Sequence, residues 1–326
     1  MSADLPAPLR AALDGVLEGR PRAGLAERAA RTSDAYRAGK ASTGVIRDAD
    51  DALAYALTRL PATYAACAAV FAEAARAAPG FDPRTLLDAG AGTGAASWAA
   101  VETWPRIAGA TWLDASPPFL ALAERLAVGG PRALSDAEAR RADLTAAGPW
   151  PTCDLVVASY ALAEIAPARQ AEVVAALWAA CAGVLVLVEP GTTAGHARLL
   201  AARDALISAG AALLAPCPHA QVCPLAAPDW CHFSVRLPRS REHRLAKGAA
   251  LPFEDEKFAY LVAARPGAAA AAPPKARVLA RPRAGKPGIE LKLCAPDGRA
   301  ERLLVGKRDK AAFARARRLA WGDVWD

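Results

Sequence analysis

The stretch TLLDAGAGTGAASWAA (85–100) decides the fold: an apolar run closes on Asp88, three glycines follow at Gly90, Gly92 and Gly94, and an alanine-rich segment comes next. A short leucine run predicts a buried strand, and the alanines after it predict a helix. Glycines between the two allow a tight turn and let a ligand approach the backbone closely. This is the form of a nucleotide-cofactor loop. Gly90, Gly92 and Ala95 also satisfy the GxGxxG/A spacing used for dinucleotides, so the loop alone leaves NAD and S-adenosylmethionine both open.

On either side of this loop the same alternation continues. ATWLDAS (110–116), DLVVAS (154–159) and GVLVLVEPG (183–191) read as strands separated by alanine-rich helical stretches. Such alternation signals βαβ units and a mostly parallel sheet, an α/β Rossmann-like fold. ALLAPC (212–217) is a further apolar run, and FAYLVAARP (258–266) is expected to return as a last, antiparallel edge strand. Asp114 ends the second strand twenty residues past Gly94, where a carboxylate accepts ribose hydroxyls in either cofactor class. Asp88 directly before the glycines, Asp143 in RADL (141–144) and the run DLVVASYALAEI (154–165) complete a series that resembles the class I S-adenosylmethionine-dependent methyltransferases. The resemblance implies that Asp88 and the glycines face the methionine part, Asp114 the ribose and Asp143 the adenine edge. Read singly, Asp143 is equally a helix cap or a surface residue.

The chemistry after the fourth strand is less defined. Asparagine-proline-proline-tyrosine tetrads that align a base nitrogen are absent, and Ser159, Tyr160, Ala161 and Leu162 stand instead. No cysteine follows that strand to act as a nucleophile on a pyrimidine, and Cys153 before it suits packing. Tyr160 and Glu164 are the catalytic candidates that remain, although a helix-start carboxylate explains Glu164 equally well.

With 326 residues, 54% of them hydrophobic, the chain has enough apolar surface for a sizeable core. Residues 1–78 read as helices, with Leu9, Leu13, Val16 and Leu17 at helical spacing and a second stretch from Asp48 to Ala77 broken at Pro61. A cofactor domain spans 79–265 and includes a cysteine-rich insertion at 212–247. PGAAAAAPPK (266–275) has the composition of a linker. The module beyond it is expected to contain strands around IELKLCAPDGRAERLLVG (289–306), turned at Pro296, Asp297 and Gly298, and a basic helix from about Lys310 to Trp321. Residues 276–326 hold 13 Lys plus Arg against 6 Asp plus Glu, which accounts for the whole net charge of +7. A basic module of this kind is an electrostatic footprint for a polyanion, most simply RNA; the alternative is a solubilising face.

No export signal or eighteen-residue apolar run is evident, so the expectation is a soluble cytoplasmic protein with no membrane partner. The odd count of seven cysteines then argues for metal ligation or burial over disulfides. Cys67 and Cys181, on alanine-rich helices, are expected in the core. Cys217, Cys223 and Cys231 form a trio with gaps of five and seven residues, and Cys294 is a distant fourth. Four thiolates complete a tetrahedral zinc site or the corners of an iron-sulfur cluster. The gaps exceed those of short zinc knuckles and favour the larger cofactor, while His219, His232 and His243 nearby keep a Cys3His zinc site open.

Several strings coincide in one further resemblance: RLPATYAAC (59–67), WLDASPPFL (112–120), VEPGTTAGH (188–196), CPHAQVCPL (217–225), DWCHFSVRLPRSREHRLAK (229–247) and EDEKFAYL (254–261). Together with the glycine loop they resemble the mitochondrial ribosomal small-subunit methyltransferase-like family and its bacterial homologues, from about residue 5 to the end. The resemblance implies an S-adenosylmethionine-binding fold with a 4Fe-4S cluster on Cys217, Cys223, Cys231 and Cys294. It also implies association with the small ribosomal subunit and its RNA, with no DNA partner. The expected function is methyl transfer to small-subunit rRNA or a methyltransferase-like role in assembly. A non-catalytic, cofactor-binding assembly factor and an NAD-linked iron-sulfur redox enzyme are the alternatives.

Overall fold

The computed structural model describes residues 4–20, 24–37, 44–146, 148, 150–268 and 275–326. Most of the expected linker, 269–274, lies outside the described residues.

Three helices open the chain: α1 (Ala7–Leu17), α2 (Leu25–Arg37) and α3 (Ala49–Ala77). α1 buries Leu9, Leu13, Val16 and Leu17, one stripe of its surface. α3 starts at Asp48, whose side chain accepts from the Asp51 N–H, and runs through Pro61 without interruption. The expected break at Pro61 is therefore absent. Proline forfeits one backbone hydrogen bond there, but Leu57, Leu60, Tyr64, Cys67 and Phe71 are all buried around it, and that packing holds the helix together.

The main sheet has the order β3-β2-β1-β4-β5-β8-β6. Its parallel strands are β1 (Thr85–Ala89), β2 (Gly109–Asp114), β3 (Glu138–Arg141), β4 (Cys153–Ser159) and β5 (Cys181–Pro190). β8 (Phe253–Ala264) runs antiparallel to β5 and to β6 (Ala212–Ala215), and β7 (Phe233–Pro238) also pairs with β8. The run at 258–266 is thus an internal strand, not the expected edge. Val262 and Ala263 have no exposed surface, as a strand flanked on both sides and covered on both faces requires. Helices α4 (Ala95–Thr103), α5 (Pro117–Ala127), α6 (Arg132–Ser135), α7 (Pro167–Ala180), α8 (Thr193–Ser208) and α9 (Arg241–Lys247) connect the strands. α3 packs on α4 and α5 and lies along β6, β7 and β8. The fold is α/β, of the class I methyltransferase, Rossmann-like kind. Strand order reverses between β1 and β4, and in such sheets the crevice at the strand ends of that reversal is where ligands sit.

A second sheet is built from β9 (Ala276–Val278), β10 (Arg283–Ala284), β11 (Gly288–Cys294), β12 (Ala300–Gly306) and β13 (Val324–Trp325), in the order β10-β11-β9-β13 with β12 on β11. Ile289, Leu291 and Leu293 alternate along β11 into a small core with Val278, Val305 and Ala316. β11 and β12 form a hairpin that turns at Gly298, whose φ is +85°. Helix α10 (Lys310–Ala316) is shorter than expected, because the chain turns at Arg317–Leu319 and returns as β13 beside β9.

Candidate functional site

The glycine loop lies at the switch point, at the ends of β1 and β2. Gly90, Gly92 and Gly94 have φ of +77°, +55° and +80°, the left-handed region that only glycine enters without strain. Gly90 and Ala91 donate to the Leu113 carbonyl at 2.7 and 3.0 Å, which fixes the loop to β2. A Cβ on Gly90 would stand 2.7 Å from the Ala161 Cβ, whereas one on Gly92 would meet nothing within 4 Å. The loop is therefore closed on the Gly90 side and open at Gly92.

Asp88 is fully buried. Its Oδ2 accepts from the Ser97 N–H at 3.1 Å and the Ser97 hydroxyl at 2.7 Å, and that hydroxyl accepts from Trp112 Nε1 at 2.9 Å. Burial pushes the carboxyl up to about 6, against the pull of the Ser97 hydrogen bonds. Its second oxygen, Oδ1, is buried without a partner. Asp114 is buried as well; Oδ2 accepts from Gly92 N at 2.7 Å and Oδ1 from Ser116 N at 2.8 Å. A carboxylate has about four acceptor positions, so Asp114 keeps capacity for a diol. Open space before Gly92, that spare capacity and the orphaned Oδ1 fit a ligand bearing hydroxyls and a cationic donor. Asp143 follows β3 at the surface, where Thr145 N–H and hydroxyl, both at 2.8 Å, hold its carboxyl below the usual range. It secures a turn.

Tyr160, directly after β4, is the one non-glycine residue with positive φ among the described residues, at +59°. Its hydroxyl lies 2.9 Å from Glu256 Oε1 on β8, and Arg59 of α3 grips the same carboxylate at 2.9 and 3.2 Å. Burial, then the Glu256 charge, raises the Tyr160 phenol well above its ordinary value. Glu164 sits half-buried on the 3-10 turn Leu162–Glu164 that follows. Tyr55 on α3 senses this end of the sheet: burial pushes its phenol up to about 12, with the Glu164 and Asp114 charges adding to the effect.

The second site lies between the two sheets. Cys217 follows β6, Cys231 precedes β7, Cys223 lies on the loop between them, and Cys294 ends β11. All four line one cavity of about 40 Å³, together with His196, His219, Arg203 and Arg277. Cys294 Sγ lies 3.3 Å from His219 Nε2. Burial pushes the Cys294 thiol up to about 12, with Cys217 and Cys223 adding to the shift. Cys231 is raised well above the ordinary thiol value, by burial and then by Cys217, Cys223 and Cys294, and Cys217 is raised by burial against the pull of Arg203. The raised Cys217, Cys231 and Cys294 thiols favour the protonated form, and a cation bound among them would have to displace those protons.

Of the histidines in this segment, only His219 reaches the cavity. His232 stacks on Trp230 at 4.7 Å and meets the edge of Trp321, while His243 is buried 3.7 Å from Glu254. Among the described residues, no three His, Cys, Asp or Glu side chains gather closely enough to share one metal ion. A cluster with four irons takes one thiolate at each corner, so its ligands stand farther apart than those of a single ion. The donor set at the cavity is four thiols with the His219 imidazole beside Cys294, a soft-metal set whose sulfurs come from both sides of the cavity.

The cysteine loop and the glycine loop thus occur in one chain, and this pairing can be compared with known proteins. Residues 49–326 match the family described as mitochondrial small ribosomal subunit Rsm22. The chain belongs to the Rsm22 family. It is 32% identical, in an alignment of 297 residues that covers 83% of this chain and 62% of the other, to the human mitochondrial ribosome assembly protein METTL17. The chain thus spans less than two thirds of that Rsm22-family relative. Among solved structures, it resembles the precorrin-6y C5,15-methyltransferase of Geobacter metallireducens GS-15 at 16% identity and TM-score 0.40, covering 61% of this chain and 85% of that one. The magnesium protoporphyrin IX methyltransferase of Synechocystis PCC 6803 with bound S-adenosylmethionine is similar at 15% identity and TM-score 0.40, over 63% and 80% of the two chains. Likenesses of this size say nothing of chemistry.

Arg203, Arg277, His196, Arg59 and Glu256 were not singled out from the sequence. Arg277 reaches the cavity because β9 pairs with β11 so that Arg277 faces Cys294. That register depends on a turn and a sheet order that residue spacing does not encode.

Proposed function

We propose that this chain is a cytoplasmic S-adenosylmethionine-binding ribosome assembly factor acting at the small subunit and its rRNA. A four-thiolate metal centre, a 4Fe-4S cluster on Cys217, Cys223, Cys231 and Cys294, holds the basic module 276–326 against the methyltransferase-like sheet. Convergence of four cysteines from two sheets on one cavity carries this reading. The assembly role rests on the relationship to a protein named for ribosome assembly. Lys307, Arg308, Lys310, Arg317 and Arg318 are exposed around α10 and supply the cationic face for phosphates.

The cofactor binds at the Gly92 face, with its ribose on Asp114. When bound, S-adenosylmethionine offers an electrophilic methyl group; the residues at the mouth of that site are tied to one another. The Tyr160 hydroxyl is engaged by Glu256, which Arg59 also holds while lying over the Tyr160 ring, and this favours binding without transfer. Methyl transfer is the second reading, supported by the strained backbone at Tyr160, since such strain gathers at active sites.

The test is anaerobic purification of the full chain with iron and zinc analysis, followed by sedimentation with small subunits across a salt series. Brown protein and binding that weakens steeply with salt are expected; colourless, metal-free protein, or no sedimentation at any salt, overturns the proposal. Labelled S-adenosylmethionine and rRNA from cells lacking the gene separate the two readings, because label in the RNA means transfer.

A further inference from the structure

We propose that Arg203 and Arg277 are the charge-compensating and positioning pair of this metal centre. The inference rests on the four-thiolate reading above. Four thiolates around a dicationic zinc ion or an oxidised 4Fe-4S core leave a net dianion, and a dianion buried between two sheets is costly unless cations are buried with it. Two guanidiniums line the same cavity.

Neither has a buried counter-ion that accounts for it. Arg203, on α8, is 2% exposed, yet its carboxylate partner, Asp204 at 3.2 Å, has a side chain 73% exposed. Its Nη2 donates to the His219 and Gln221 carbonyls at 3.0 and 2.6 Å, and its Nε is buried without a partner. Arg277, 5% exposed on β9, donates through Nε to the Pro216 carbonyl at 3.1 Å and through Nη1 to the Gly322 carbonyl at 2.6 Å and to Glu73, which is partly exposed. Buried cations matched only by peripheral carboxylates call for an anion between them.

The carbonyls they hold define the geometry. Pro216 immediately precedes Cys217, and His219 and Gln221 lie between Cys217 and Cys223, so the two arginines fix the loop that presents both thiols. Arg277 also faces Cys294 across the β9–β11 pair. One arginine from α8 and one from β9 of the second sheet therefore bond the same loop, and the dianion joins the main domain to the module through cations as well as through cysteines. The free Arg203 Nε–H is the donor left over for a sulfur.

A mere staple would hold the loop equally well with no metal present, and the test separates the two roles. Full-length wild type, Arg203→Lys and Arg203→Met are reconstituted anaerobically with ferrous iron and sulfide. Iron per chain, visible absorption and the midpoint potential are then measured, with thermal unfolding of the chelated proteins beside them. Reduction adds an electron to an already anionic centre, so removing a cation must make it harder. Arg203→Met is expected to lower the midpoint potential and to weaken metal retention by about tenfold or more. Arg203→Lys keeps the charge, so it holds the wild-type potential while losing the forked carbonyl contacts. Equal potentials and equal retention in wild type and Arg203→Met overturn the proposal even if the protein is brown. If wild type takes up zinc alone, zinc competition replaces the potential, and unchanged affinity in Arg203→Met overturns it in the same way. Wild type that takes up neither metal removes the four-thiolate reading and this inference with it.

Discussion

The glycine loop and the thiol cavity differ in how their polar groups are used. Around the loop nearly every donor has been matched within the chain: Gly92 and Ser116 to Asp114, Ser97 to Asp88, and Gly90 and Ala91 to Leu113. Around the cavity, the Nε of Arg203 and the Nδ1 of His219 are buried without a partner beside the four thiols, of which Cys294 meets His219 Nε2. A site whose loop donors are matched in this way tolerates an empty state better, although Asp88 Oδ1 and the Ser116 hydroxyl stay unpartnered there. One whose buried groups lack partners costs free energy until a ligand supplies them. On the proposed reading, a metal at the cavity would therefore contribute to stability, while a small-molecule cofactor at the loop would be optional to it.

The largest expected effect follows from that contrast. Cys294→Ser removes the only thiol that the second sheet contributes, and a structural metal centre is worth on the order of 10 kcal/mol to the fold it closes. Metal uptake should be lost, and cleavage within residues 266–275 by a nonspecific protease should speed up by at least about tenfold as the module loosens. Full metal content with unchanged proteolysis would mean that Cys294 is not a ligand and that the centre does not tie the module to the main sheet.

Gly90→Ala probes the opposite, closed side. The new methyl would press on the Ala161 Cβ at a φ of +77°, so a loss of about 3 kcal/mol is expected in denaturant unfolding. Metal content should not change. A variant as stable as wild type would show that the loop rearranges freely and is not built to a fixed shape.

His243 is a control for orphaned groups in general. Both ring nitrogens are buried and unbonded, but the residue lies away from the cavity, beside Lys247 and Glu254. Burial, then the Lys247 charge, pushes it down to about 4. The folded protein thus takes up the proton less readily than the unfolded chain. Stability from the neutral ring is full above the ordinary histidine range and is lost as pH falls from about 6.5 to about 4. Relative to His243→Leu, wild type should lose about 3 kcal/mol over that window. A flat difference between the two curves contradicts the buried neutral imidazole.

How much was legible follows the same division. The strand-loop-helix around Gly90 and the strands after it could be read because short apolar runs and glycines act locally. Pro61 and the run at 258–266 were misjudged because their outcome depends on distant partners: packing across α3 in one case and insertion between β5 and β6 in the other. The four cysteines could be picked out by residue type, but their company could not. Arg203 and Arg277 look like any other arginine until α8 and β9 meet at the cavity wall. Asp143 could be picked out by its spacing, but the hydrogen bonds from Thr145 to its Oδ1 could not.

The smallest effect belongs to the optional site. If Asp114 is self-satisfied yet keeps acceptor capacity, Asp114→Asn should leave the fold nearly intact and weaken S-adenosylmethionine binding by about tenfold in calorimetry, because an amide accepts at one oxygen only. The amide nitrogen must also face either Gly92 N–H or Ser116 N–H, two donors in opposition, which costs some stability even without cofactor. Comparing cofactor affinity in metal-loaded and chelated wild type completes the contrast. Equal affinities mean that the loop works independently of the cavity, whereas a loss on chelation shows that β6–β8 transmit the state of the metal to the Glu256–Tyr160 end of the sheet.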